Sequence, residues 1–128
     1  MTRRLLLVDD DDGVRFVARS ALELVGGWTV TAVSSGDDAV HEALSSPPDA
    51  ILLDVMMPGL DGPSTLSQLR GNPATSRIPV IFLTAKARST QHDALLDLGA
   101  VGVLVKPFDP MQLSQQVVAL LGFGPGDA

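Results

Sequence analysis

The chain has 128 residues, the size of one domain, and 45% of them are hydrophobic, too many for a disordered segment. Its formal charge of −6, from nine basic and fifteen acidic residues, argues against a nucleic-acid surface, which needs clustered Lys and Arg. Without cysteine there is no disulfide or thiolate chemistry, and no apolar run nears the ~20 residues that cross a bilayer, so a cytoplasmic protein without membrane contact is expected.

Five apolar runs alternate with five helical patterns. Leu5–Val8 is too short for a signal-peptide core and leads directly into Asp9–Asp12, which makes it a buried strand. Val14, Val17, Ala18, Ala21, Leu22 and Val25 then form the stripe of an amphipathic helix, which Gly26-Gly27 ends. Trp28–Val33 mixes threonines into its run and reads as an edge strand, with Trp28 as packing. Ser35 caps a second helix carrying Ala39, Val40, Ala43 and Leu44. Ala50–Leu53 is a third buried strand. A third helix over Gly62–Arg70 follows, anchored by Leu66 and Leu69. Val80–Leu83 precedes a fourth helix over Ala87–Leu98 that stops at Gly99. After the strand Val101–Val105, Asp109-Pro110 opens the fifth helix as cap and first-turn proline, and Leu113, Val117, Leu120 and Leu121 are its buried face. The alternation predicts a doubly wound parallel α/β sheet with helices on both faces. Residues 1–123 make one domain and residues 124–128 a short flexible tail.

Polar residues gather just after the strands: Asp9 and Asp10 after the first, Asp54 after the third, Thr84 after the fourth and Lys106 after the fifth. In a parallel sheet these positions share one edge, where open α/β sheets hold their ligands. Neighbouring strands lie ~4.8 Å apart, so three aspartates crowd there if the first and third strands are adjacent. Two charges 4 Å apart repel by roughly 4 kcal/mol at an effective dielectric of 20, so the cluster needs a cation. A few hard oxygen ligands with room for water suit Mg²⁺. Beside it, Lys106 and Thr84 suit the stabilisation of a transferring phosphoryl group. Taken singly, each residue has a plainer reading: Thr84 a helix cap, Lys106 a surface charge, Asp11 and Asp12 the acidic start of a helix. For Asp11 and Asp12 that reading stands. His41 and His92 fall on helices away from the edge as solvated residues, and Met56 and Met57 are packing.

Four segments, Leu5-Leu6-Leu7-Val8-Asp9-Asp10-Asp11, Ile51–Gly62 around Asp54, Phe82-Leu83-Thr84-Ala85-Lys86 and Val105-Lys106-Pro107-Phe108, resemble the receiver domains of two-component response regulators in order and spacing. The resemblance covers Arg4 to Leu121. It implies a flavodoxin-like (βα)5 sheet of order 2-1-3-4-5 and a phospho-acceptor role for Asp54, with the phosphoryl group coming from a sensor histidine kinase or a histidine phosphotransfer domain. It further implies that Asp10, Asp54 and the Met56 carbonyl bind Mg²⁺, with Asp9 acting through water. Lys106 would pair with phosphoryl oxygens, Thr84 would swing toward them, and the Lys106–Pro107 bond would be cis. Output would be a contact with a downstream protein, and slow self-dephosphorylation would replace conventional enzymatic turnover. One position departs from the pattern. Many members carry Tyr or Phe three residues before the lysine, and here that residue is Val103.

Three other functions compete. A haloacid-dehalogenase-type phosphohydrolase needs an acid two residues after its nucleophilic aspartate, on the first strand; here Met56 follows Asp54 at that spacing. A flavodoxin-like cofactor binder needs a phosphate-cradling loop after the first strand, where Asp9–Asp12 would repel the ligand. A receiver-like docking module without phosphorylation would not need Asp9, Asp10, Asp54, Thr84 and Lys106 together.

Overall fold

The computed structural model describes residues 3–86 and 88–122, and the expected 124–128 tail lies outside them. Five strands, β1 (Arg4–Val8), β2 (Thr29–Val33), β3 (Ala50–Asp54), β4 (Val80–Thr84) and β5 (Gly102–Val105), form one parallel sheet in the order β2-β1-β3-β4-β5. The helices between and after them are α1 (Asp12–Leu24), α2 (Gly36–Ser45), α3 (Gly62–Arg70), α4 (Ser89–Asp97) and α5 (Leu113–Leu121). The threonine-bearing β2 lies at an edge, where Thr29 and Thr31 meet water.

The continuous apolar runs follow from burial on both faces of the sheet. Alternate residues point to opposite sides. Leu6, Val8, Ile51, Leu53, Val80 and Phe82 pack with Ala39, Leu66, Leu69 and Leu95 of the helices on one side. Leu5, Leu7, Leu52, Ile81 and Leu83 pack with Ala18, Leu22, Leu113 and Val117 on the other. Each large aliphatic side chain buried this way contributes roughly 1.5–3 kcal/mol. Trp28 lies just before β2 and is buried in the second cluster, where its indole Nε1 donates to Ser114 Oγ at 3.2 Å.

Helix starts follow the local sequence where a short polar side chain is available. Asp11 accepts from Val14 N at 2.9 Å, Ser35 from Asp38 N at 3.1 Å and Asp61 from Ser64 N at 2.8 Å. Two expectations shift. The fifth helix begins at Leu113, a turn later than Asp109-Pro110 predicts. Asp109 instead closes a turn, its Oδ1 accepting from Met111 N at 2.9 Å and its carbonyl from Gln112 N at 3.0 Å. The fourth helix runs only over Ser89–Asp97, with Arg88 at its N-cap making no side-chain cap bond; Ala87, the expected start, lies outside the described residues. The Lys106–Pro107 peptide is cis.

Candidate functional site

Strand register brings the polar residues to one rim. Val8 is paired with Leu53, so Asp9 and Asp54, each one step further on, stand side by side. Asp54 is opposite Leu83 and Thr84 is opposite Val105, which places Lys106 just beyond β4. From there the lysine reaches back across β4. Its Nζ lies 2.8 Å from Asp9 Oδ2 and 3.2 Å from Asp54 Oδ1. Lys106 is held at its root by its own N–H, which donates to Thr84 O at 2.7 Å. A cavity of about 440 Å³ opens over these groups, lined by Asp9, Asp10, Asp54, Met56, Ala85 and Lys106, among others.

The electrostatics are those of a crowded acid cluster with one cation. Asp54 is 4% exposed, and burial pushes its carboxyl up to about 6, with the negative Asp9 adding to the rise and Lys106 opposing it. Burial works to lower the Lys106 ammonium, but Asp9 and Asp54 outweigh it and hold the group above its ordinary value. Asp9 is fully buried, its Oδ1 accepting from Asp11 N at 2.9 Å and its carbonyl from Arg15 Nη1 at 2.8 Å. The Asp9 Oδ2 atom has the Lys106 charge beside it but no aligned hydrogen-bond donor among the described residues. Asp10 is exposed. Carboxylate oxygens of Asp9, Asp10 and Asp54 all lie within 4.8 Å of one another, so the cluster could bind a metal ion. A buried acceptor without an aligned donor, among three hard oxygen donors, fits a divalent cation that keeps part of its water shell.

Most of the residues singled out in the sequence come together here, with two corrections, at Met56 and His92. Met57 is core, but Met56 is 65% exposed and lines the cavity, because the turn at Pro58 and Gly59 carries it outward; it is not packing. Thr84 is buried at the end of β4, yet its Oγ1 accepts from Lys86 N at 3.1 Å and Thr84 does not line the carboxylate cavity. His92 is half-buried, and its Nε2 lies 2.8 Å from the Lys86 carbonyl oxygen, so it is not simply solvated. Val103 packs against the cluster containing Phe82 and Leu95. Arg15, overlooked in the sequence, ties Asp9 to α1 and pairs with Asp12. Only its position, six residues past Asp9 on the helix that follows, could have drawn notice.

Comparison with known proteins agrees with this arrangement. Residues 5–118 match the family model for the response regulator receiver domain. The chain is 40% identical over 121 residues to response regulator MprA of Mycobacterium tuberculosis, covering 94% of this chain and 51% of that protein. It is 36% identical over 121 residues to the alkaline phosphatase synthesis transcriptional regulatory protein PhoP of Bacillus subtilis, covering 94% and 49%. The chain thus spans about half the length of these relatives. Among solved structures it is similar to the chemotaxis response regulator CheY4 of Vibrio cholerae, with a TM-score of 0.88 and 27% identity over 94% of this chain and 99% of that one. It is also similar to the receiver domain of a sensor histidine kinase from Pseudomonas aeruginosa, solved with a magnesium ion in its active-site cleft. There the TM-score is 0.84 and the identity 33%, over 95% and 99% of the two chains. Agreement of sheet order, rim chemistry and sequence over nearly the whole length leaves one conclusion: the chain belongs to the response regulator receiver domain family of two-component signalling.

Proposed function

We propose that Asp54 accepts a phosphoryl group, in a Mg²⁺-dependent transfer from a phosphohistidine of a sensor histidine kinase or histidine phosphotransfer domain. The observation that carries this reading is Lys106 Nζ shared between Asp9 and Asp54 at the floor of a solvent-accessible acid cavity. With its carboxyl near 6, Asp54 is ionised at pH 7 and above and is available as a nucleophile. One Asp54 oxygen forms the new O–P bond as the P–N bond to the donor imidazole breaks, and the departing nitrogen takes up a proton. Lys106 supplies positive charge to the phosphoryl oxygens. Asp10, Asp54 and the Met56 carbonyl would hold Mg²⁺, with Asp9 acting through water. When bound, the ion neutralises the carboxylates and the phosphoryl oxygens together.

A groove of about 640 Å³, lined by Val17, Pro107 and Phe108, adjoins the cavity and shares Asp11, Val14, Ala85 and Lys106 with it. It suits the docking of the donor protein. The protein acts as a stoichiometric acceptor with slow self-dephosphorylation, and a downstream protein reads its state. Among the described residues no helix is long and apolar enough to cross a membrane, and a cytoplasmic setting fits a partner of this kind.

Incubation with acetyl phosphate and Mg²⁺ tests the reading. One label per chain, removed by hydroxylamine as an acyl phosphate is, and absent when Mg²⁺ is chelated, is the expected result. Steady turnover of a chromogenic phosphate ester would instead favour the phosphohydrolase, and a metal-independent absence of label would favour the docking module.

The metal ligands are expected to differ in weight. Asp9 already serves Asp11 N and Lys106, whereas the exposed Asp10 carboxylate has no cation of its own among the described residues. Asp10→Ala should weaken Mg²⁺ binding by about 100-fold or more and Asp9→Ala by about tenfold, as for a direct and an outer ligand. Equal affinities by isothermal titration would contradict the ranking. Phosphoryl lifetime should also change at the cavity mouth. Met56 is an exposed apolar cover, so Met56→Asn is expected to speed dephosphorylation several-fold by admitting and orienting water. An unchanged decay rate would remove that role.

A further inference from the structure

The chain has no cysteine, so methionine is its only sulfur. The three described methionines, Met56, Met57 and Met111, stand in different surroundings. Met57 is 8% exposed and packs in the core. Met111 is 70% exposed, but the groove it lines with Phe16, Leu24 and Pro110 contains no carboxylate. Met56 combines what the others do not: it is open to solvent, and it walls the cavity over Asp54 alongside Asp9, Asp10 and Lys106. It also borders the neighbouring hollow formed by Met57, Pro58 and Asp61, so it stands between two openings.

This placement decides both what reaches the sulfur and what its oxidation changes. The carboxylates lining the cavity repel anionic oxidants. A neutral peroxide such as hydrogen peroxide can enter. The thioether sulfur attacks one peroxide oxygen, and the S–O bond forms as the O–O bond breaks. The departing hydroxide takes up the proton of the transferred oxygen and leaves as water. Sulfur is oxidised and the peroxide is reduced. A thioether accepts hydrogen bonds only weakly, whereas a sulfoxide is polar. An apolar side chain at the cavity mouth offers entering water no anchor; a sulfoxide oxygen there does.

We propose that Met56 is an oxidation site, and that its sulfoxide shortens the life of a phosphoryl group on Asp54. The proposal rests on the phospho-acceptor reading. A water held by the sulfoxide oxygen attacks phosphorus, and its O–P bond forms as the P–O bond to Asp54 breaks. Its proton passes to solvent, inorganic phosphate leaves and the Asp54 carboxylate is restored. Peroxide thereby resets the acceptor without altering the carboxylates or Lys106. The Mg²⁺ ligand proposed at Met56 is the main-chain carbonyl, which oxidation of the side chain leaves in place. Methionine sulfoxide reductases, which act on the separate sulfoxide epimers, return the apolar cover.

Graded hydrogen peroxide treatment of the whole protein, followed by peptide mass spectrometry and by decay of the acetyl phosphate label in Mg²⁺, tests this. Met56 should gain oxygen well before Met57, whose survival as a thioether reports an intact fold. At that stage the label should decay several-fold faster than in untreated protein, and reductase treatment should restore the slower decay. Met56→Leu should decay at one rate with and without peroxide, whereas Met111→Leu should respond as the parent does. If the oxidised protein does not hold its fold, Met56→Gln decides: this polar, uncharged stand-in for the sulfoxide should decay faster than the parent without any oxidant. Unchanged decay in protein oxidised at Met56, a peroxide response that survives in Met56→Leu, or parent-like decay of Met56→Gln would overturn the proposal and leave the phospho-acceptor reading intact. A parent that takes no label would overturn that reading itself, and the proposal with it.

Discussion

Asp54→Asn is expected to take no phosphoryl label and yet, without metal, to be more stable than the parent. The two effects have one cause. The Asp54 carboxylate is kept at a buried rim beside Asp9, at a cost that folding does not require and that the proposed phospho-acceptor role would explain. In the native state the carboxyl holds its proton to about 6, against an ordinary value of 3.8. Between these values the folded chain binds more protons than the unfolded one, so stability falls as pH rises through that window. Above it the full penalty applies, about 1–3 kcal/mol. Asparagine has nearly the same shape without the charge, and Lys106 keeps Asp9 as its partner. Urea unfolding in chelator should therefore show the variant ahead at pH 8 and level with the parent below pH 4. Saturating Mg²⁺ should narrow the gap, since an ion at 100 times its Kd adds about 2.7 kcal/mol to the parent and less to a variant with one ligand fewer. Equal stabilities at pH 8 in chelator, or label retained by the Asp54→Asn variant, would refute the account of this residue.

Gly62→Ala should lose about 2–3 kcal/mol of stability and slow phosphorylation, although alanine is the better helix former by roughly 1 kcal/mol. Gly62 opens α3 and sits against the end of β3, its N–H donating to Val55 O at 2.9 Å. A Cβ there would stand 2.5 Å from Asp54 O and 2.8 Å from Val55 Cα. Both are backbone atoms and cannot turn aside, so either α3 or the strand that carries Asp54 must move. Steric cost exceeds helix propensity because the clash is with the frame of the site. Denaturant midpoints and labelling rates measure the two consequences. A variant as stable as the parent would show that α3 can lift off β3 without loss.

The continuous runs of β1, β3 and β4 declared burial on both faces, and parallel pairing then fixed where Asp9, Asp54 and Thr84 fall. Caps at Asp11 and Ser35, and the edge position of β2, were equally legible, because each depends on residues a few positions apart. Contacts between distant segments decided the rest. Lys106, just past β5, reaches Asp9, just past β1, across the strand ends between them, and the Asp54 carboxyl is raised by burial first and by Asp9 second, both set by the folded sheet. Met56 and Met57 are identical in type, yet the loop before α3 turns one outward and the other into the core. Asp109-Pro110 has the chemistry of a helix start, but the chain leaving Pro107 makes a turn first, and α5 begins where Leu113 can enter the core. His92 carried no signal in the sequence, since its partner is a main-chain carbonyl, which every residue has and only the course of the backbone can bring within reach.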